Sequence, residues 1–391
     1  MKKVLVVLLS VLCLFSLTAC GNSSDEPTVD TDGKITIKLG GSGPLTGDAK
    51  VYGEAVRNAA TLAVNEINAS DLFNIKFDFR FEDDAHDAEK AVAAYSTLYD
   101  WGMQVSLFTV TSGPGAAVAA NYDEDKIVAL TPSGSSTDLI YTGNKNFKGN
   151  FQMCFTDPNQ GIASADYIAA NFADAKVAII YKSDDVYSSG IYEKFINEAT
   201  AKNVNVVYKD GAFTSDSSTD FSTQLTAAKN AGADLMFIPI YYQPASIILK
   251  QASDMGYAPK FFGVDGMDGI LTLDGFDTSL AEGVYLLTPF SATSTDAMTA
   301  EFVKNYQTAY GDVPNQFAAD AYDCVYAILT ALNGIGITAD YNYDNLYEDL
   351  IGQFTSMSFD GLTGSSMTWD ANGEIKKAPE AFIIKDGVYV K

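Results

Sequence analysis

Residues 234–266, DLMFIPIYYQPASIILKQASDMGYAPKFFGVDG, contain the pattern that decides the fold. The apolar runs at 234–238 and 260–264 have the length of buried strands, and the segment 244–256 between them is typical of a helix. A strand, a helix and a second strand in this order predict a parallel sheet covered by helices. The second strand ends at Asp265-Gly266, and open parallel sheets bind ligands beyond such strand ends.

The same alternation extends along the chain in both directions. Strands are predicted at 35–40, 75–81, 105–110, 127–130, 176–181 and 204–208, and helices at 53–68, 87–101, 190–202 and 221–231. One sheet would not hold this many units, and the alternation restarts near 151–157. The sequence therefore predicts an α/β protein with two doubly wound parallel-sheet lobes. The C-terminal part differs, with predicted helices at 301–310 and 317–333 and short closing strands at 381–384 and 388–390.

Composition excludes several classes of protein. The 391 residues contain 50 acidic and 25 basic side chains, so the chain should repel nucleic acid and anionic lipid headgroups. There is a single histidine, His86, which excludes metal sites that need several histidines. His86 lies in the acidic run 82–87, which we interpret as a strand end leading into a helix and not as a metal site. The sequence predicts neither a metal nor a cofactor.

The N-terminus has the features of an export signal. Two lysines precede an apolar run of residues 4–17, which is short for a transmembrane helix. The run ends in Leu17-Thr18-Ala19-Cys20, which resembles the bacterial lipobox, in which the cysteine is acylated. We therefore predict a signal peptide at 1–19, a lipid on Cys20 and a flexible tether at 20–33. The alternative is an ordinary signal peptide in which Cys20 is incidental.

Two cysteines, Cys154 and Cys324, remain in the rest of the chain. Sequence alone leaves a disulfide between them open, and we predict two buried free thiols.

Polar segments follow several predicted strands and suggest one binding site. Ser112 stands where a helix N-cap belongs, and a helix start can bind an anion. Ser133 and Ser135 lie in a second loop rich in donors, and Asp265 ends an apolar strand. Donors on one side and a carboxylate on the other describe a site for a zwitterion. Each feature also has a plain structural alternative, as a cap or a turn. Tyrosines near these loops complete the candidate set: Tyr52, Tyr187, Tyr241 and Tyr322.

These motifs together resemble those of a known family. They are Gly43-Pro44 with Tyr52-Gly53, Glu82-Asp83-Asp84, Thr131-Pro132, Asp157-Pro158-Asn159-Gln160-Gly161, Tyr187, Asp220-Phe221-Ser222 and Trp369-Asp370. Across 35–391 the chain resembles the branched-chain amino-acid-binding (Leu/Ile/Val-binding) family of ABC-transporter substrate-binding proteins, which has the type I periplasmic-binding fold.

The resemblance implies two lobes joined by a three-crossover hinge. The predicted lobes are 34–155 with 289–365, and 156–288 with 366–391. By resemblance, Ser112 holds the ligand carboxylate and Ser133 and Ser135 supply further contacts. Asp265, followed by Gly266, holds the ligand ammonium, and the tyrosines line the cleft. Aspartate stands where the best-known members have glutamate, so the side-chain specificity stays open.

The predicted function is the capture of a free amino acid, branched-chain or otherwise aliphatic, for delivery to an ABC permease. The predicted protein is a bacterial, extracytoplasmic monomer anchored by lipid to the outer face of the cell membrane. Alternatives are the same trap binding an amide, urea or aromatic acid, or acting as a sensory receptor. An extracytoplasmic enzyme is disfavoured, because no strand-end loop pairs a nucleophile with a base.

Overall fold

The computed structural model describes residues 28–29, 33–377 and 379–391. The predicted signal peptide, Cys20 and most of the predicted tether lie outside these residues. Within the tether, Thr28–Val29 pairs antiparallel with Ile35 and Thr36, so that these two residues form a short strand. Among the described residues, we find no helix with the length and apolar character needed to cross a bilayer.

Strands and helices alternate through both halves of the described chain. The first half contains β1 (Thr28–Val29), β2 (Ile35–Gly43), α1 (Lys50–Ala69), β3 (Ile75–Asp83), α2 (Ala88–Asp100), β4 (Val105–Thr109), α3 (Ser112–Glu124), β5 (Val128–Thr131), β6 (Tyr141–Thr142), β7 (Lys145–Asn146), β8 (Asn150–Gln152) and α4 (Asp157–Asn171). The second half contains β9 (Val177–Lys182), α5 (Val186–Ala201), β10 (Val206–Phe213), α6 (Ser222–Asn230), β11 (Leu235–Ile238), α7 (Tyr242–Asp254), β12 (Lys260–Gly263), β13 (Tyr285–Thr288), α8 (Ala297–Tyr310), α9 (Gln316–Gly334), α10 (Leu346–Phe354), β14 (Phe359–Gly361), β15 (Gly364–Met367), β16 (Glu380–Lys385) and β17 (Val388–Val390).

Two separate sheets form the centres of two lobes. The sheet of the first lobe has the order β1-β2-β4-β5-β8, with β3 on the other side of β2. The sheet of the second lobe has the order β10-β9-β11-β12-β13-β16-β17. Neighbouring strands in these two sheets are parallel, with three exceptions. The pairs β1 with β2, β13 with β16, and β16 with β17 are antiparallel. The predicted fold class, two doubly wound parallel-sheet lobes, is confirmed.

The decisive strand–helix–strand unit folds as its pattern predicts. Strands β11 and β12 pair in parallel from Leu235 with Lys260 to Ile238 with Gly263. Helix α7 turns Ala245, Ile248 and Leu249 into the core between them. Strand β13 follows β12 in the sheet without an intervening long helix, and the sequence pattern missed it.

The chain passes between the lobes three times, and the third passage is later than predicted. Trp369 and Ile375 form a β-bridge and both lie in the core cluster of the first lobe. The Trp369 indole N–H also donates to the carbonyl of Gln152 at 2.8 Å. Residues 366–375 therefore pack with the first lobe, and the predicted start of the last second-lobe segment at 366 lies before the crossover.

The lobes share a continuous apolar cluster. It joins Tyr52 and Val56 of α1 to Ile240 and Tyr242 of the second lobe. Apolar burial of this kind stabilises contact in proportion to the area removed from water. The conformation described here is therefore one in which the lobes are pressed together.

A buried lysine ties the hinge segments to each other. Lys377, in the third crossover, has a side chain only 3% exposed. Its ammonium donates to Asp320 Oδ1 at 2.6 Å, to the carbonyl of Met153 at 3.0 Å and to Thr363 Oγ1 at 2.6 Å. Met153 belongs to the first crossover and Asp320 to α9, so one charged group connects separate passages of the chain. A buried charge is tolerated only when it is paired and hydrogen-bonded in this way.

The two cysteines near this hinge, Cys154 and Cys324, are buried and free, which confirms that part of the sequence prediction.

Removal of the Lys377 ammonium should destabilise the whole fold. The variant Lys377→Met leaves the Asp320 carboxylate buried without its partner, and we expect a loss of about 3–5 kcal/mol in the free energy of unfolding. The neighbouring Lys376 is exposed, so Lys376→Met is a matched control with an expected change below about 0.5 kcal/mol. Denaturant unfolding of both variants measures the difference. Equal stability of the two variants would contradict the role given to Lys377.

Candidate functional site

A small cavity lies where strand ends of the two sheets face each other. Its lining comes from both lobes: Tyr52, Val110, Thr111, Ser133, Tyr187, Tyr241, Asp265, Gly266 and Phe317. The structure thus brings together most of the candidate residues that the sequence singled out. Parallel sheets collect such side chains at one edge because all their strands end there.

The cavity is nearly filled by the aromatic rings around it. Tyr187 and Tyr241 stack with ring centroids 4.7 Å apart, and Tyr52 meets Phe317 edge-on at 4.7 Å. About 10 Å³ is open to the centre of a water molecule, which is room for about one water. A ligand as large as an amino acid therefore needs the lobes to separate or these rings to move.

Asp265 is the carboxylate of the cavity. It is 2% exposed, and Tyr187 donates its hydroxyl to Asp265 Oδ1 at 2.5 Å. Burial raises the pKa of the Asp265 carboxyl to about 7, although the Tyr187 hydroxyl acts in the opposite direction. Asp265 is the first residue of a short 3₁₀ helix whose N-cap is Val264, so Asp265 does not occupy the cap position. A cationic group placed beside Asp265 would favour its ionised form.

Gly266 leaves room for the tyrosines that surround Asp265. A Cβ atom at this position would lie 2.5 Å from the hydroxyl oxygen of Tyr187 and 2.9 Å from a ring carbon of Tyr241. The backbone N–H of Gly266 donates to the Tyr187 hydroxyl at 2.8 Å. Glycine is therefore required for this close approach of backbone and ring.

Tyr52 connects the lobes at the same point. It lies on α1 of the first lobe and donates its hydroxyl to the carbonyl of Gly266 in the second lobe. The same hydroxyl accepts from the backbone N–H of Tyr242 at 3.2 Å. The Tyr242 hydroxyl in turn accepts from the N–H of Val51 at 3.4 Å. These bonds exist only while the lobes are together.

The start of α9 is a further contact between the lobes, and the sequence analysis missed it. The Gln316 side chain donates to the carbonyl of Asp265 at 3.1 Å. The Gln316 backbone N–H donates to Asp268 Oδ2 at 2.9 Å. A carboxylate at a helix N-terminus is stabilised by the unpaired N–H groups there. Asn315 before the helix, which accepts from Ala318 N–H, is the sequence signal that marks this start.

The serines of the two donor loops occupy different places. Ser133 lines the cavity, and its hydroxyl donates to the carbonyl of Val110 at 2.5 Å. Ser112 is buried outside the lining, where its hydroxyl oxygen accepts from the N–H of Ser136 at 3.1 Å. Ser135 is also buried and outside the lining.

Ser112 is the first residue of α3, while Thr111 occupies the N-cap position. The predicted cap is therefore one residue too late. Thr111 also lines the cavity, and the sequence analysis missed it.

Tyr322 does not belong to the cavity, which corrects the sequence prediction. Its hydroxyl donates to Glu66 of α1, away from the cleft. Phe317, near the start of the same helix, does line the cavity. Five residues along an α-helix turn the side chain by about 140°, so the two rings point in different directions.

His86 lies at the rim of the cleft, and the sequence analysis had assigned it only to an acidic run. Its Nδ1 is 2.9 Å from Thr111 Oγ1, and its Nε2 is 3.9 Å from Asp185 Oδ2 of the second lobe. Burial lowers the pKa of His86, while the carboxylate of Asp185 acts against this. Within the described chain we find no cluster of three or more side chains suited to hold a metal ion.

Comparisons with known proteins agree with this architecture. The sequence model of the family described as periplasmic binding protein matches residues 36–380. The Leu/Ile/Val-binding protein homolog 3 of Brucella melitensis is 27% identical over 310 residues, covering 78% of this chain and 80% of that protein.

Solved structures agree as well. The branched-chain amino acid transporter substrate binding protein LivJ from Streptococcus pneumoniae, solved with isoleucine, has a TM-score of 0.75 and is 26% identical, covering 91% of this chain and 98% of that one. A solute-binding protein of R. palustris, solved with benzoate, has a TM-score of 0.79 at 19% identity, covering 91% of this chain and 95% of that one. This second likeness shows the fold alone.

Loss of the Tyr52 hydroxyl should shift the ligand-free protein toward an open form. Tyr52→Phe removes two hydrogen bonds between the lobes, each worth about 1 kcal/mol. We therefore expect a larger radius of gyration than in the wild type, measured by small-angle X-ray scattering without ligand.

Tyr322→Phe is the matched control, because it removes a hydroxyl whose partner lies in the same lobe. It should leave the radius of gyration unchanged. An unchanged value for Tyr52→Phe as well would show that this hydroxyl does not hold the lobes together.

Proposed function

Because this chain belongs to the periplasmic binding protein family, whose members bind solutes without transforming them, we propose that it captures a free amino acid between its two lobes. The observation that carries the proposal is the position of Asp265. Its buried carboxylate faces hydroxyl groups and the start of α3 across the cavity, and the described lining contains no lysine or arginine. A zwitterion satisfies both walls, with its ammonium at Asp265 and its carboxylate toward the first lobe.

The remaining lining supports an aliphatic side chain. Val110, Phe317 and the faces of Tyr52 and Tyr241 offer apolar contact. The relatives named for leucine, isoleucine and valine point the same way. We therefore propose a branched-chain or other aliphatic amino acid as the ligand.

An aromatic acid is a less suitable ligand for this cavity. Such an acid has no ammonium to pair with Asp265, and its carboxylate usually requires a basic side chain. The described lining offers only neutral donors. An amide or urea remains an alternative, which a thermal-shift screen of amino acids, amides and small acids detects, since binding raises apparent stability by mass action.

We propose that the family's transport role extends to this chain, with delivery of the amino acid to an ABC permease. The predicted lipid on Cys20 would hold the protein at the outer face of the cell membrane, close to such a permease. Two acyl chains suffice for stable anchoring, whereas one is marginal.

The carboxylate of Asp265 should account for much of the affinity. Asp265→Asn keeps the size of the side chain and removes its charge. Loss of one partner of a desolvated charge pair costs about 2–5 kcal/mol, which is roughly a 30- to several-thousandfold loss of affinity. Calorimetry measures this loss of affinity, with the amino acid that raises the melting temperature most in a thermal-shift screen as the ligand.

Asp274→Asn removes the same charge from an exposed position and serves as the control. It should bind like the wild type. If Asp265→Asn binds within threefold of the wild type, the ammonium is held elsewhere or the ligand is not an amine.

The anchor is tested in cells. Cys20→Ser removes the thiol that forms the thioether with the lipid, so the protein should leave the membrane fraction. Cys13→Ser changes a cysteine inside the apolar run and should leave membrane retention as it is. Full retention of Cys20→Ser in the membrane fraction would disprove the lipoprotein prediction.

A further inference from the structure

A second buried carboxylate lies next to the segment that carries Asp265. Asp157 is the first residue of α4 and is 2% exposed. Its Oδ1 atom is buried and has no hydrogen-bond partner among the described residues. Buried carboxylate oxygens are normally paired, so this atom is free to accept from a ligand.

Two further polar atoms nearby share this condition. Ser135 Oγ and Gln160 Nε2 are buried, and neither makes a hydrogen bond of good geometry among the described residues. Each nevertheless lies close enough to a carboxyl to lower its pKa, Ser135 to Asp157 and Gln160 to Asp265. The three side chains belong to one connected group. The N–H of Asp157 donates to the carbonyl of Ser135 at 2.9 Å, and the N–H of Asp265 donates to Gln160 Oε1 at 3.1 Å. Through Gln160 the group is joined to Asp265, which lines the cavity, while the three side chains themselves lie behind the lining.

The charges around Asp157 are negative. Burial raises the pKa of the Asp157 carboxyl well above its usual range, the Ser135 hydroxyl acts against this, and Asp265, Asp185 and Asp138 raise the pKa further. Because Asp265 lies close enough to raise the pKa of Asp157, a cationic partner placed between the two carboxyls would let both of them ionise.

The opposite wall of the cavity attracts a charged ligand group less strongly than the side of Asp157 and Asp265 does. The Ser133 hydroxyl already donates to the carbonyl of Val110, and Ser112 Oγ already accepts from the N–H of Ser136. These neutral groups offer no full charge to a ligand carboxylate. The cleft is therefore built more strongly for a cation than for an anion.

We propose that Asp157 is a second carboxylate of the ammonium subsite, together with Asp265 and the Ser135 hydroxyl, and that the ligand class is the primary amines. This inference rests on the proposed function and extends it. Amino acids bind through their ammonium group, and amino-acid amides, which keep the ammonium and lack the carboxylate, bind as well. The corresponding acids without the amine do not bind.

A structural role for Asp157 makes a different prediction. If its carboxylate served only to stabilise the first turn of α4, Asp157→Asn would lower the melting temperature without changing the choice between ligands. The two roles are separated by measuring affinity and ligand-free stability on the same variants.

The test is calorimetry with three matched probes: L-leucine, L-leucinamide and 4-methylpentanoate. In the wild type we expect L-leucine and L-leucinamide to bind within about tenfold of each other and 4-methylpentanoate to show no binding. Asp157→Asn should weaken both amines by tenfold or more. The control Asp174→Asn, which removes an exposed carboxylate after the same helix, should bind both as the wild type does.

The outcomes separate this inference from the proposed function. If no amino acid binds the wild type in the screen, the proposed function fails and this inference with it. If L-leucine binds and L-leucinamide does not, or if Asp157→Asn binds both amines within threefold, the proposed function stands and this inference is wrong. The comparison of probes on the wild type needs no variant, so it tests the ligand class even if Asp157→Asn is unstable, while the role of Asp157 is tested by the affinity of the folded variant. If another amino acid binds in place of L-leucine, the three probes are made from that amino acid.

Discussion

The backbone of Asp265 and Gly266 is bound from three directions, and the cleft depends on these bonds. Tyr52 and Gln316 reach it from the first lobe, and Gln160 reaches it from the start of the second. Each group bonds to the peptide backbone, while the Asp265 carboxylate accepts from Tyr187, and Gln160 and the N–H of Gly266 lie close enough to lower its pKa. The bonds of Tyr52 and Gln316 form only when the lobes meet, whereas the bond of Gln160 lies within the second lobe, so closure of the cleft completes the site.

The buried carboxyls oppose closure in the absence of a ligand. Burial raises the pKa of Asp265 to about 7 and that of Asp268 to about 6, so near neutral pH the closed form holds carboxyls in an environment that disfavours their ionised state. A raised pKa means that their contribution to the closed state is present at low pH and is lost as pH rises through these values. A ligand ammonium offsets this loss by pairing with the charge. At the hinge, Lys377 supplies the same compensation for Asp320 from within the protein.

The periodic parts of the chain were predictable, and the contacts between distant segments were not. Apolar runs and helical spacing predicted the two sheets and the strand end at Asp265. This was possible because a strand buried on both faces is a nearly continuous apolar run in the sequence. Strand β10 runs from 206 to 213 instead of 204 to 208, since the exposed charged pair Lys209-Asp210 interrupts its apolar pattern. Tyr322 was misplaced because aromatic composition says nothing about which face of a helix meets the cleft. The roles of Gln316, His86 and Lys377 appear only after folding, because each acts on a partner from another part of the chain.

The central claim, that the two lobes close on an amino acid, is tested most directly by a distance between them. Glu89 on α2 and Glu193 on α5 are exposed and lie in different lobes, so spin labels on Glu89→Cys and Glu193→Cys report their separation. Cys13→Ser and Cys20→Ser remove two further thiols, the second at the predicted lipid position, and Cys154 and Cys324 are buried. With a saturating amino acid that binds in the screen, the account predicts a single distance, shorter than the mean without ligand. An identical distance distribution with and without that amino acid would contradict it.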